Sequence, residues 1–260
     1  QLTMPAVTYV DGMNVPNYEN RNPAPKYQLP FTVDEAMKFI QIPAEFSLTL
    51  FATEPDIVKP IAFAFDERAR MWILETVDYP NKPTAGKPGS DRIRILEDTN
   101  GDGKADKFTV FTDQLNIPTS LVFANGGVIV AQPPHILFFK DTNGDDKADE
   151  RKILSTGWGQ SDTHATLSNL QYGMDNFIWG VVGYSGFKGE INGKQLAFGQ
   201  AAFRFRPDGS DFEVMTGSTN NTWGLGFSET FDVFGSTANN DPSWNMAIPN
   251  RFFDGVEGLP

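Results

Sequence analysis

The chain has 260 residues, of which 33 are Asp or Glu and 21 are Lys or Arg, so its formal charge at neutral pH is −12. This excess of acid argues against nucleic-acid binding, which needs a basic stripe or patch. The absence of Cys excludes disulfides, zinc–thiolate sites, CxxCH haem attachment and thiol catalysis within the chain, and no apolar run approaches the length of a transmembrane helix.

Residues 1–45 are predicted to form an N-terminal arm and a short helix. Residues 1–30 are rich in Pro, Asn and Tyr, which indicates an extended arm that lies against the body or a partner, or is disordered. Thr32 and Glu35 have the spacing of a capping box, which predicts a helix continuing through Ile40. The chain begins with Gln1 rather than Met, as a processed protein does, so we expect a periplasmic or secreted location.

Residues 46–260 are predicted to be all-β and to form a β-propeller of four-stranded blades. Short apolar runs alternate with turn signals. The inner strand of each blade is predicted at residues 61–66, 120–123, 167–172 and 223–227. The runs recur roughly every 45–60 residues, the length of a propeller blade. About four blades predict part of a six-bladed ring, whose open edges need further blades on the same or another chain.

Two loops predict calcium sites. Residues 98–106 read DTNGDGKAD, and residues 141–149 read DTNGDDKAD. Each copy offers the oxygen donors that Ca²⁺ prefers, on alternate residues of a glycine-containing loop. The predicted ligands are Asp98, Asn100, Asp102, Asp106 and the Lys104 carbonyl, then Asp141, Asn143, Asp145, Asp149 and the Lys147 carbonyl. The loops are not EF-hands, because position 12 is Thr109 in one and Lys152 in the other. The alternative is an acidic hairpin turn without metal.

The chain has two histidines, and one of them is a candidate catalytic residue. His135 follows two prolines at a strand start, which favours a structural or surface role. His164 ends the turn-rich segment at residues 157–164, which leads into an inner strand. Such entry loops line the mouth of a propeller channel, where a neutral imidazole is a suitable general base. The alternative is a hydrogen bond from His164 to backbone between blades.

Several phrases of the chain match a known family. They are residues 60–72 (PIAFAFDERARMW), 91–106 (DRIRILEDTNGDGKAD), 115–119 (LNIPT), 157–167 (GWGQSDTHATL) and 220–240 (NNTWGLGFSETFDVFGSTANN). Through them, residues 31–251 resemble the N-terminal propeller of PVC-type haem-binding CxxCH proteins, also described as membrane-bound dehydrogenase domains. That family is related to sorbosone and soluble glucose quinoprotein dehydrogenases.

The resemblance implies a six-bladed propeller that holds pyrroloquinoline quinone (PQQ) with calcium over its channel mouth. It implies that His164 removes the substrate hydroxyl proton, and that Asp162, Asn220 and Asn221 bind the cofactor. It also implies electron transfer to a c-type haem domain outside this chain. Two positions depart from the dehydrogenases, since Asn220 stands where they have Arg, and Tyr184 where they have an Asp that orients the His.

Two functions are therefore predicted. The first is an exported quinoprotein-like dehydrogenase that oxidises a sugar or an alcohol. The second is a non-catalytic, calcium-stabilised propeller that binds a glycan or a protein partner. Several aromatic residues suit sugar stacking in either case, although a position within a predicted strand favours packing between blades for Trp179 and Trp223. They are Trp158, Tyr172, Trp179, Tyr184 and Trp223.

Overall fold

The computed structural model describes residues 9–10, 27–28, 30–81, 87–219, 221–239 and 242–253. Its contacts divide the chain into two units, residues 1–53 and 54–260. The first unit contains the antiparallel pair β1 (Tyr9–Val10) and β2 (Tyr27–Gln28) and the helix α1 (Val33–Met37). Thr32 Oγ1 accepts the Glu35 N–H at 3.3 Å, and Glu35 Oε2 accepts the Thr32 N–H at 2.9 Å. The predicted capping box is therefore confirmed, although the helix ends at Met37 rather than Ile40.

The second unit contains four blades in a propeller arrangement, as predicted. Its strands in chain order are β3 (Pro60–Phe65), β4 (Met71–Glu75), β5 (Asp91–Glu97), β6 (Lys107–Leu115), β7 (Ser120–Ala124), β8 (Gly127–Gln132), β9 (His135–Lys140), β10 (Glu150–Thr156), β11 (Leu167–Tyr172), β12 (Ile178–Val182), β13 (Phe187–Ile191), β14 (Lys194–Phe198), β15 (Ala201–Phe205), β16 (Glu213–Gly217), β17 (Thr222–Phe227), β18 (Val233–Thr237) and β19 (Trp244–Met246).

Each blade is an antiparallel meander from the channel outward. Blade 1 is β3–β4–β5–β6, blade 2 is β7–β8–β9–β10, blade 3 is β11–β12–β15–β16, and blade 4 is β17–β18–β19 among the described residues. A single turn of 3-10 helix, Asn250–Phe252, follows. No helix among the described residues is long and apolar enough to cross a membrane.

Blade 3 carries a hairpin that the sequence reasoning did not predict. Strands β13 and β14 pair as a separate two-stranded sheet between the second and third strands of the blade. Asn192 and Gly193 form its turn with φ of +51° and +78°. Such Asn-Gly turns suit two-residue hairpins, because both residues tolerate positive φ. Asn125 and Gly126 make the equivalent turn between β7 and β8, with φ of +52° and +71°.

The core lies between neighbouring blades, where the apolar side chains of one blade pack against those of the next. Ala62 and Ala64 of β3 pack in the same apolar cluster as Leu121 and Phe123 of β7. The Trp72 ring lies 5.2 Å from the Phe123 ring, edge to face. Contacts between the faces of neighbouring blades therefore stabilise the fold. A blade face without a neighbouring blade exposes its apolar side chains.

The strand directions define two ends of the blades. We call the end at which each inner strand begins the upper end, and the opposite end the lower end. The loops that precede β7, β11 and β17 lie at the upper end, together with the loops between second and third strands. Residues 98–106 and 141–149 connect third to fourth strands and so lie at the lower end, with the turns that follow the inner strands.

Candidate functional site

His164 lies at the upper end, in the loop that leads into β11. Its side chain is 60% exposed, and its Nδ1 lies 3.0 Å from Asp162 Oδ1. The same carboxylate oxygen accepts the His164 backbone N–H at 2.9 Å. The Tyr79 ring, from the loop after β4, packs edge to face against the imidazole at a centroid distance of 5.2 Å. The imidazole is thus oriented by its neighbours while most of its surface faces solvent.

Asn221 lies at the same upper end, directly before β17. A Cβ atom added to Gly183 would lie 2.9 Å from Asn221 Oδ1 and 3.0 Å from Ala165 Cβ, so Gly183 separates Asn221 from the neighbour of His164. No side chain fits this space without displacing one of them. Asn221 Oδ1 is buried and accepts no hydrogen bond from the part of the chain that the structure describes. Asn220 lies outside the described residues.

The four inner strands line a central cavity of about 330 Å³. Trp223, which we predicted to pack between blades, instead lines this cavity and is 36% exposed. Gln171 Nε2 donates to Leu225 O at 2.9 Å, which joins the inner strands of blades 3 and 4. Tyr184 is half-exposed at the upper end, in the loop between β12 and β13.

Three other residues singled out in the sequence are wholly or partly buried. Trp158 is fully buried, and its ring packs 4.6 Å from the Phe203 ring. The prediction that Trp158 suits sugar stacking is therefore wrong. Trp179 is also buried, and its ring lies 5.5 Å from Phe227 of blade 4, which confirms packing between blades. His135 begins β9 with a buried Nδ1 that has no hydrogen-bond partner among the described residues, and burial lowers its pKa.

A polar cluster between blades 1 and 2 at the upper end escaped the sequence reasoning. The Asp91 carboxylate is fully buried and accepts backbone N–H groups of Asp78 at 2.8 Å and Ile117 at 2.5 Å. Asp78 Oδ2 accepts from Ser90 N and Asn116 Nδ2, both at 2.8 Å. Burial raises the pKa of Asp91; it acts the same way on Asp78, but the bonds from Ser90 and Asn116 hold the pKa of Asp78 below its ordinary value. The cluster fixes the loops that face the His164 loop.

The two predicted calcium loops share most of their internal hydrogen bonds. Asp98 accepts backbone N–H groups of residues 101 and 103 at 2.7 Å each, and Asp141 accepts those of residues 144 and 146 at 2.6 and 2.8 Å. Backbone N–H groups, that of residue 103 first, hold the pKa of Asp98 below its ordinary value. Burial raises the pKa of Asp141, but the backbone bonds outweigh it and lower the pKa. Both carboxylates are therefore charged at neutral pH.

The remaining loop oxygens divide into two groups. Asp102 Oδ1 and Asp145 Oδ1 each accept one backbone N–H, at 2.9 and 3.0 Å, and Asn100 and Asn143 accept one each at 2.9 Å. The ninth-position carboxylates of Asp106 and Asp149 instead bind the Thr99 and Thr142 backbone N–H and hydroxyl groups, at 3.0 and 2.8 Å in both loops. No three acidic or His side chains of the described residues converge on one point. The donor chemistry suits calcium, while the ligand set, with the Lys104 and Lys147 carbonyls, stays a prediction.

The second loop differs from the first at one position, and the structure gives the reason. Asp146 stands where the first loop has Gly103, and it keeps the positive φ of that position, +61°. Its Oδ1 accepts from Arg70 Nη1 at 2.8 Å and from Arg68 Nη2 at 3.1 Å. Arg70 also binds Asp66 Oδ2 at 2.8 Å. Asp146 therefore joins blade 2 to the inner turn of blade 1 at the lower end.

The arrangement is that of a β-propeller with a polar channel mouth at its upper end. Residues 32–257 match the family described as "Domain of unknown function (DUF7133)", and the chain belongs to that family. No curated protein matches the chain significantly.

Solved structures share the fold. One, from Thermus thermophilus, is assigned as an oxidoreductase (glucose dehydrogenase); it matches with a TM-score of 0.52 and 14% identity over 73% of this chain and 61% of that one. Another, the PQQ-bound aldose sugar dehydrogenase from Streptomyces coelicolor, matches with a TM-score of 0.50 and 12% identity over 71% of this chain and 58% of that one. At these identities the likeness concerns the fold alone. The chain spans less than two thirds of either protein.

Proposed function

We propose that the chain is the propeller of a quinoprotein-like dehydrogenase that oxidises a hydroxyl group of a sugar or an alcohol. The observation that carries the proposal is His164. Its side chain is exposed at the channel mouth, and its Nδ1 atom is hydrogen-bonded to Asp162. A base of this kind must reach a substrate proton within roughly 2.6–3.2 Å, directly or through one water. His164 has the exposure to do so, and the likeness to sugar dehydrogenase folds supports the substrate class.

PQQ is the proposed cofactor, and when bound it supplies a quinone that accepts a hydride. The residues of the mouth fit it in two respects. No described residue donates to the buried Asn221 Oδ1, and the pyrrole N–H of PQQ or a sugar hydroxyl would do so. Lys59, whose Nζ donates to Val77 O at 3.4 Å, brings an exposed ammonium to the same end, where it can pair with a carboxylate. Asn220 remains a proposed contact.

Calcium is proposed for the two lower loops, where it would stabilise the fold. Charged Asp98 and Asp141 and the oxygens of Asp102 and Asp145 support the proposal. Outside the cytoplasm, loop sites of roughly 10⁻⁴–10⁻³ M affinity are used by extracellular modules. A periplasmic or secreted location is therefore part of the same proposal.

Further propeller blades, on the same or another chain, are the proposed partners of the open face of blade 1. Phe63 and Phe65 are 65% and 55% exposed on this face, while the equivalent side chains of blade 2, Leu121 and Phe123, pack against blade 1. A blade with small residues on its inner strand would cover them in the same way. A c-type haem domain is proposed as the electron acceptor on the strength of the sequence resemblance.

The alternative is a propeller that binds a glycan or a protein without redox chemistry. Tyr184 favours it, because this residue takes the place of the Asp that orients the base in the resembling dehydrogenases. A half-exposed tyrosine at the mouth suits stacking on a sugar ring.

The experiment that tests the proposal follows the absorbance of PQQ bound to the full chain with Ca²⁺ while sugars and alcohols are added. We expect reduction of the quinone by at least one substrate. His164→Gln should slow this reduction by about 10²–10⁴-fold, the usual contribution of a general base. His135→Gln is the matched control and should keep the parent rate. Binding of a sugar without any reduction of the quinone would favour the non-catalytic alternative.

A further inference from the structure

Asp162 holds His164 through two hydrogen bonds that converge on one oxygen. Oδ1 accepts the backbone N–H at 2.9 Å and lies 3.0 Å from Nδ1. An ionised carboxylate only accepts hydrogen bonds, so Nδ1 must carry the hydrogen. In the neutral imidazole the lone pair is then on Nε2, because the partner of one ring nitrogen sets the state of the other. The contact thus selects one tautomer as well as one orientation.

Asp162 is itself held by a neighbouring turn of blade 3. Ser185 Oγ accepts the Asp162 N–H at 3.1 Å and donates to the Asp162 carbonyl at 2.7 Å. The Ser185 N–H in turn donates to Ala165 O at 3.0 Å, on the far side of His164. Ser185 therefore ties both flanks of His164 to the loop between β12 and β13.

A third contact fixes the loop to blade 1. Thr163 Oγ1 donates to Pro80 O at 3.1 Å, next to the Tyr79 ring that packs on the imidazole. The three residues 162–164 are thus anchored to blades 1 and 3. An imidazole anchored in this way needs little reorganisation when a substrate arrives.

We propose that Asp162 is the positioning residue of His164, and that Ser185 supports it. Sequence resemblance placed Asp162 among the cofactor contacts and left the orienting position occupied by Tyr184; the geometry moves the orienting role to Asp162. This proposal rests on the proposed function. In it, Nε2 of His164 takes the proton when the substrate O–H bond breaks. The Asp162 carboxylate then stabilises the positive charge of the imidazolium.

The tautomer can be measured without cofactor or substrate, so its outcome is independent of the proposed dehydrogenase activity. The chain has only two histidines, and the His164→Gln variant assigns the ring ¹⁵N signals of each. At alkaline pH the parent should hold His164 with hydrogen on Nδ1. Asp162→Ala should move His164 predominantly to the Nε2–H tautomer, whereas Asp162→Asn, whose amide oxygen still accepts, should retain the parent state. His135 should not change in either variant.

Kinetics add a readout that a structural role would not move. If the parent oxidises a substrate, Asp162→Ala should lower kcat by about tenfold or more with little change in KM, because orientation of the base acts on the chemical step. Ser185→Ala should have a smaller effect of the same kind. An unchanged tautomer in Asp162→Ala, in a variant that keeps the parent circular dichroism, would overturn the proposal even if kcat falls.

Discussion

Substituting Asp146 by Gly makes the second lower loop identical in sequence to the first. The change removes the carboxylate that Arg70 and Arg68 bind at 2.8 and 3.1 Å. It also removes a side chain from a backbone position with φ of +61°, where the first loop has glycine. The two effects oppose each other, and the burial of Arg70 decides which is larger.

The lost hydrogen bond is strong, because the Arg70 side chain is only 8% exposed and that of Asp146 is 20% exposed. Hydrogen bonds to charged groups contribute about 1.5–3 kcal/mol. Glycine recovers roughly 1 kcal/mol of left-handed backbone strain. Arg70 keeps its bond to Asp66, so the full penalty of an unpaired buried charge does not apply. We expect Asp146→Gly to lower the free energy of unfolding by about 0.5–2 kcal/mol, and each kcal/mol to lower Tm by about 2–4 °C.

Chemical denaturation of the parent and variant, with calcium chelated in both, measures this difference. A double-mutant cycle with Arg70→Gln should give a coupling of about 1 kcal/mol or more. Arg68→Gln is the control, since the Arg68 side chain is 59% exposed and exposed ion pairs contribute about 0–1 kcal/mol. If Asp146→Gly is as stable as the parent, the ion pair between the blades contributes no more than the roughly 1 kcal/mol of backbone strain that glycine relieves.

Three other predictions concern metal, pH and association. Calcium at about a hundredfold over its dissociation constant should raise the free energy of unfolding by roughly 2.7 kcal/mol per site. The double variant Asp98→Asn, Asp141→Asn should abolish this effect. A calorimetric Tm that does not change when a chelator is added would contradict the prediction. Burial raises the pKa of Asp66, but bonds from Trp72 and Arg70 outweigh it and lower the pKa, so its stabilisation is complete above about pH 4 and is lost as pH falls further; Asp66→Asn should flatten the acid limb of stability against pH. The chain should self-associate through its open blade faces in sedimentation experiments, and Phe63→Lys should reduce the association; a monodisperse parent would count against uncovered blade edges.

The propeller could be predicted because its repeat is local in sequence. Alternating apolar residues and Asn-Gly or Asp-Gly turns mark blades 1 to 3, and strands β7, β11 and β17 lie within one residue of the predicted bounds. The β13–β14 hairpin was missed although Asn192-Gly193 carried the same signal, because that turn falls inside a blade and breaks the four-strand count. Local sequence does not show how many strands belong to one blade, and this is why the hairpin was missed.

The site was predictable only in part, because its contacts join different blades. The Asp-Thr-His spacing could have indicated the hydrogen bond from His164 N–H to Asp162, since Asp often binds the backbone two residues on. Nothing local could place Tyr79 against His164 or Arg70 against Asp146, because both contacts depend on how neighbouring blades are aligned. Sequence supplied the residue types, and the packing of blades supplied the partners.

The two ends of the propeller differ in how completely their polar groups are satisfied. At the lower end, Asp66 and Asp175 accept from Arg and Trp side chains, and Asp146 accepts from two arginines. Six buried side-chain atoms of the described residues have no hydrogen-bond partner. One is Arg94 Nε. The other five belong to residues of the upper end: Asn116 Oδ1, His135 Nδ1, Thr166 Oγ1, Asn221 Oδ1 and Trp244 Nε1.

An unsatisfied buried polar atom costs about 1–3 kcal/mol, so such atoms are retained where a bound molecule offsets the cost. Asn221 Oδ1, close to the exposed His164 loop, is the one best placed for this role. The lower end, with its loops and ion pairs, instead stabilises the contacts between blades. A ligand should therefore bind at the upper end, and substitutions at the lower end should change stability before they change ligand affinity.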